Sequence, residues 1–217
     1  MIGRARTNIR ALIEDQCEIL SQMISGIADR YNAEAYSFEE EIKRNAKVNS
    51  EGDYDIYSSI VDTYSDSVDM HYTLCFEARK ILFCAIFSYL ESMLYGIISY
   101  YEIERCNTNQ ISQLIDKIAN QYKKWFNEEL ILPNDLSQKI CEYYRPLRNY
   151  YMHGELDSDK DKANLETFID SNSNYIVSYY EIKDNEFLRC VLSEMNSFLL
   201  NIEEAYVFRM TEKKWMI

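Results

Sequence analysis

Four side chains between Tyr144 and Glu155 have types and a spacing that packing alone does not require: Arg145, Arg148, Asn149 and His153. At about 100° per helical residue, with Arg145 at zero, Arg148 falls near −60°, Asn149 near +40° and His153 near +80°. Two guanidiniums, a carboxamide and an imidazole then project from one side of a helix. Arginine is permanently charged and presents a planar fork of donors suited to phosphate oxygens, while histidine takes and gives protons near neutral pH. The chemistry this set can do is cleavage of RNA by its own 2′-hydroxyl. His153 would act as general base on that hydroxyl or general acid on the leaving oxygen, and Arg148 would stabilise charge developing on the phosphorane. The same residues have a plainer reading. His153 followed by Gly154 resembles a helix end, with the imidazole at the negative end of the dipole and glycine as a left-handed cap. Spacing alone leaves both open.

These side chains need a packed helix behind them. Leu136, Ile140, Tyr143, Leu147, Tyr150 and Tyr151 fall on the opposite arc and supply its apolar side. Pro133-Asn134-Asp135 breaks the chain ahead of that helix and caps it, whereas Pro146 predicts a kink or restart within it. Upstream, residues 76–104 form the most apolar stretch, predicting a helix buried on more than one side. Its apolar length raises the question of a membrane span, but Glu91 sits at the middle and Ser88, Ser92 and Ser99 dilute it, which argues for a bundle in water. A buried carboxylate needs a partner, so Glu91 is expected to orient Arg145 or Arg148 from behind.

Arg148-Asn149-Tyr150-Tyr151-Met152-His153 resembles the arginine, four residues, histidine motif of the HEPN superfamily of ribonucleases, with Asn149 at its often polar second position. Phe87-Ser88-Tyr89-Leu90-Glu91-Ser92-Met93-Leu94 is similar to the long helix that precedes the motif in many members, and the resemblance extends over about residues 76 to 210. Gly154 stands where part of the family continues with tyrosine. The resemblance implies an all-α bundle of long antiparallel helices that dimerises and brings two motifs into one cleft. It further implies a metal-independent endoribonuclease without a cofactor, of a kind that is frequently a toxin or phage-defence effector. Arg148, His153 and Asn149 are its expected catalytic residues, with Arg145 and Glu91 in support.

Composition narrows the partners. A formal net charge of −13 excludes indiscriminate nucleic-acid binding, since such affinity comes from Lys and Arg displacing counterions. A local arginine cleft is compatible with a particular structured RNA such as tRNA, or with delivery by a neutralising or activating protein partner. The chain has only two histidines. An acid and a base therefore come from His71 with His153, or from two copies of His153 in a homodimer, and the second is preferred because His71 lies on an acidic segment without arginine. The acidic surface equally suits the alternative, a non-catalytic helical binding module or antitoxin-like partner that docks a basic protein.

Elsewhere the sequence predicts a first helix over about residues 5–29 and a turn at Asn49–Asp53, dividing an amino-terminal extension, residues 1–50, from the helical domain, residues 51–217. Asp55, Asp62, Asp66 and Asp69 share a face of the next helix and read as solvated. Thr108 caps a helix running to about Glu129. Asp157–Lys162 reads as a charged loop gating the cleft; Leu165–Ile169 and Tyr175–Ile182 read as the strands of a small β-hairpin; and a last helix opens at Asp184. The six cysteines form no CxxC pair and are expected to be mostly buried in a reducing cytoplasm. Most of the nineteen tyrosines lie on apolar stripes, where packing explains them better than base stacking does. No secretion signal is evident at the amino terminus.

Overall fold

The computed structural model describes residues 8–103, 110–177 and 180–215, and the fold is all-α with one two-stranded antiparallel hairpin. Helix α1 (Ile9–Met23) passes through a π-helical turn, Ile24–Ala28, into α2 (Asp29–Asn49). The segment between the expected end of the first helix at about residue 29 and the turn at Asn49 is therefore helical as well. Its buried stripe is sparse, only Ala35, Ile42 and Ala46, and gives little periodic signal. Asp53 caps α3 (Tyr54–Thr63) by accepting from the N–H groups of Asp55 and Ile56. After a break at Tyr64, α4 runs unbroken from Ser65 to Tyr100. Asp66 and Asp69, expected on one helix with Asp55 and Asp62, therefore belong to α4, and the other two to α3.

Helix α4 is the axis of the bundle. Leu82, Phe83, Ile86, Phe87, Leu90, Leu94 and Ile97 are each 2% exposed or less, and each contributes roughly 1.5–3 kcal/mol by leaving water. Around it pack α1, α2, α5 (Ile111–Phe126), α7 (Arg145–His153) and α9 (Asn185–Trp215). Ring contacts fix the neighbours. Phe83 meets Tyr144 and Tyr151 of the arginine–histidine segment and Phe187 of α9, while Tyr101 stacks on Tyr206 at 4.5 Å. The amino-terminal helices share this core, since Ile9, Ile13, Leu20, Ile24 and Ala28 join the same buried cluster. Thr108 lies outside the described residues, as do Cys106, Arg4 and Arg6. Helix α5 stops at Phe126, where Asn127 turns left-handed, three residues short of the expected end.

Two expectations after the motif are corrected. Asp157–Lys162 is not a gating loop, because Ser158 starts α8 (Asp159–Ser171) by accepting from the Asp161 N–H at 3.1 Å and donating to its carboxylate at 2.9 Å. Leu165–Ile169 is not a strand but the middle of α8, which buries Asp161, Leu165 and Phe168 at helical spacing. The hairpin is smaller and later, pairing β1 (Ile176–Val177) with β2 (Glu181–Ile182). The cysteines are also less buried than expected. Cys75 is buried, Cys17, Cys84 and Cys141 are half-buried, and Cys190 is exposed. Asp55, Asp62, Asp66 and Asp69 all face solvent.

Candidate active site on the arginine–histidine helix

Pro146 neither stops nor restarts the helix that carries the motif. The short α6 (Asn134–Lys139) continues through a π-helical turn, Ile140–Tyr144, in which the Arg145 N–H reaches five residues back to the Ile140 carbonyl. A proline ring clashes with the carbonyl four residues behind it, and a widened turn just ahead relieves that clash. Pro146 then sits buried in the first turn of α7, directly after the widened turn that makes room for its ring. Leu147 anchors α7 in the core, and the half-buried Tyr151 donates its hydroxyl to the Tyr180 carbonyl at 2.5 Å. The far end stops at Gly154, whose φ of +77° a side chain would strain and whose N–H returns to the Tyr150 carbonyl at 2.8 Å.

On this helix the five expected residues have different surroundings. The half-buried Arg148 lies over the Phe87 ring of α4, 5.9 Å from its centroid, and donates to Asn149 Oδ1 at 3.2 Å. Among the described residues it makes no ion pair, so most of its five donors remain for another acceptor. Asn149 in turn donates to Asp157 Oδ2 at 2.8 Å, which fixes its amide orientation. His153, in the last turn, is exposed and has no hydrogen bond among the described residues.

Arg145 is committed elsewhere. It pairs with the buried Asp161 at 3.4 Å, tying α7 to the start of α8, and its Nε is buried without a hydrogen-bond partner. Glu91 is half-buried on α4. Burial pushes its carboxyl upward and the positive charge of Arg148 pulls it back, but no hydrogen bond or ion pair links it to either arginine among the described residues. Its influence on Arg148 is that of a neighbouring charge, not a clamp. The same guanidinium offsets the upward shift that burial gives the Cys84 thiol.

Comparison with models of known protein families, with curated proteins and with solved structures finds no match.

His71 stands apart from this group. It packs against Phe38 of α2 with ring centroids 4.5 Å apart. It is thirteen positions before Cys84 on α4, so about 20 Å of helix separates it from the Arg148 neighbourhood. The structure thus brings Arg148 and Asn149 into contact, leaves His153 free at the helix end, and keeps His71 out.

Sequence reasoning missed Arg79 altogether. It is 4% exposed, and its guanidinium donates to Asn185 Oδ1 at 2.7 Å, Asn32 Oδ1 at 2.9 Å and the Ile182 carbonyl at 3.3 Å. Asn185 donates onward to Asp29, which pairs with Arg189 at 2.5 Å. This network joins α2, α4, the hairpin and α9, and its task is architectural. Tyr180 was also missed as a candidate. It borders the end of α7 with a left-handed backbone, φ +61°, and its ring lies 4.6 Å from that of Tyr150.

Among the described residues α4 is the one helix long and apolar enough to cross a membrane, and 56% of its apolar window is buried inside the bundle.

Proposed function

We propose that this chain is a metal-independent endoribonuclease of HEPN type, cleaving a specific structured RNA such as tRNA through attack of the 2′-hydroxyl on the adjacent phosphorus. The observation that carries the reading is that, among the described residues, Arg148 is a guanidinium without an ion pair, set on the same helix as an exposed His153 without a hydrogen bond. An arginine held against an aromatic face with idle donors is prepared for an incoming phosphate. In the reaction one His153 takes the 2′-hydroxyl proton as the oxygen attacks, and a second protonates the departing 5′-oxygen. The products are a 2′,3′-cyclic phosphate and a 5′-hydroxyl. Arg148 stabilises the phosphorane between these steps, and Asn149 holds the guanidinium in position.

Two imidazoles require two copies, because His71 is remote from the motif. Ile81 of α4 and Met152 of α7 are 68% and 54% exposed, apolar side chains that a homodimer can cover. We place the enzyme in the cytoplasm as a toxin or phage-defence effector, with a neutralising or activating protein partner. The test is incubation of total RNA and a tRNA pool with the purified protein in excess EDTA, beside Arg148→Ala and His153→Ala. Discrete fragments ending in 2′,3′-cyclic phosphate, lost in both variants, support the enzyme. Absence of cleavage with all three proteins folded and dimeric overturns it.

A net charge of −13 favours a second reading, in which the chain is a non-catalytic helical module or antitoxin-like partner that docks a basic protein. Capture of such a protein with equal strength by wild type and His153→Ala would support that alternative.

A further inference from the structure

Where α7 ends, an open recess of about 560 Å³ begins, walled by Tyr150, Leu156, Asp157, Asp159, Lys162 and Tyr180. It joins the motif directly, because Asn149 accepts from Arg148 at 3.2 Å and donates to Asp157 at 2.8 Å. The lining has a distinct chemistry. Tyr150 and Tyr180, half-buried and inclined at 66° to each other, present ring surface and edges of the kind on which an unpaired base packs. The Tyr180 end is fixed from behind by the Tyr151 hydroxyl on its carbonyl. Asp157 and Asp159 flank the rings with carboxylates that repel phosphate, so the recess suits a base and leaves the backbone phosphate to Arg148 on the other side of Asn149.

The polar groups also discriminate among bases. Ionised carboxylates only accept hydrogen bonds, and an ammonium only donates. Guanine alone presents an acceptor, O6, followed by two adjacent donors, N1–H and N2–H₂, on its pairing edge. Among the lining residues Lys162 has the donor chemistry that the first requires, and the Asp157 carboxylate, which retains free lone pairs beside its bond from Asn149, has the acceptor chemistry for the other two. Adenine and cytosine offer one amino group beside a ring-nitrogen acceptor. Uracil places its single donor between two carbonyls that a carboxylate repels.

We infer that this recess is the seat for an unpaired guanine of the RNA substrate, adjoining the cleaved phosphate. The inference rests on the ribonuclease reading above and specifies which nucleotide that site selects.

The test is a titration of the full-length protein with GMP, AMP, CMP and UMP, followed by ¹H–¹⁵N chemical-shift changes. GMP is expected to bind at least tenfold more tightly than UMP, with shifts at Tyr150, Leu156 and Tyr180. Asp157→Asn should remove that preference, and Lys162→Met should weaken GMP about tenfold while leaving CMP unchanged, with circular dichroism confirming the fold of each variant. Equal binding of the four nucleotides, no binding, or a GMP preference untouched by Asp157→Asn overturns the seat. RNA cleavage in EDTA is scored separately. Cuts without a neighbouring guanine overturn the seat while the nuclease stands, whereas selective GMP binding without cleavage upholds the seat and removes the nuclease.

Discussion

Arg79 and Arg148 both pack against aromatic rings of α4, and they are spent in opposite ways. Arg79 lies 5.8 Å from the Phe76 ring centroid, is nearly solvent-free, and commits three nitrogens to acceptors on three other elements. Burial lowers its pKa, which carboxylates at Asp184 and Asp29 partly offset. Arg148 sits at nearly the same distance from Phe87, half-exposed, and among the described residues has one bond, to its own neighbour Asn149. Identical side chains on similar platforms thus differ in how many donors the fold has already used. A buried arginine with satisfied donors rigidifies a bundle, whereas one with idle donors stores the capacity to bind an anion. Arg145 lies between these extremes, with one ion pair to Asp161 and one buried nitrogen unpartnered.

The comparison breaks most directly at Arg148. Arg148→Ala should lower kcat for RNA cleavage by about 10²–10³-fold, the effect of removing one donor group from a developing oxyanion. Its melting temperature should stay within roughly 2 °C of wild type, because no ion pair among the described residues is lost. A variant that cleaves normally, or unfolds, would show that Arg148 belongs with Arg79.

Arg79→Ala is the reciprocal experiment. It strips Asn185 Oδ1 and the Ile182 carbonyl of their Arg79 donor in the interior and cuts the link from α4 to Asn32, a loss of about 3 kcal/mol for bonds to a charged group. The melting temperature should fall by roughly 6–12 °C. Cleavage per folded molecule at low temperature should persist. If thermal unfolding is unchanged, the network is not the fastening that its geometry describes.

How much of this contrast was legible in the sequence follows from the range of the interactions. The central helix was readable because its buried residues recur every three or four positions from Leu82 to Ile98. The motif was readable because its residues are neighbours along the chain. Arg79 was not, since its acceptors lie 47, 103 and 106 residues away and a single arginine on a helix looks solvated. Helix α8 was misread because Leu165, Phe168 and Ile169 suggest a strand when taken without the Ser158 and Asp161 pair that starts the helix. Conversely, the Asp170–Asn174 cluster marks the end of that helix and the approach to β1, two roles that polar residues share with hairpin turns.

Arg145→Ala should fall between the first two variants in stability. Its partner Asp161 is buried and its own side chain is 35% exposed, so loss of the pair is expected to cost about 1 kcal/mol after solvent screening, or roughly 2–4 °C in melting temperature. Cleavage should drop less than in Arg148→Ala. Equal losses of activity would place Arg145 at the phosphate, contrary to its engagement with α8.

The smallest effect concerns a carboxylate with an idle atom. Glu203 on α9 is 5% exposed and its Oε2 has no hydrogen bond; Arg10 approaches it at 3.7 Å. Burial raises its pKa, Arg10 opposes the shift, and Glu204 and Glu14 add to it. The unfolded chain therefore ionises this group at lower pH than the folded one. As pH rises from the unfolded value, about 4.3, through the raised folded value, the unfolded state is increasingly favoured and stability falls. Glu203→Gln removes the titration and should melt about 2–4 °C above wild type at pH 7, a gain of about 1 kcal/mol. That advantage should shrink as pH falls and vanish by about pH 3, well below the unfolded value, where the wild-type carboxyl is protonated in both states. A constant difference between about pH 3 and pH 7 would assign the effect to packing. A destabilised variant at pH 7 would mean that Arg10 more than compensates the buried charge, placing Glu203 with the satisfied partners of Arg79.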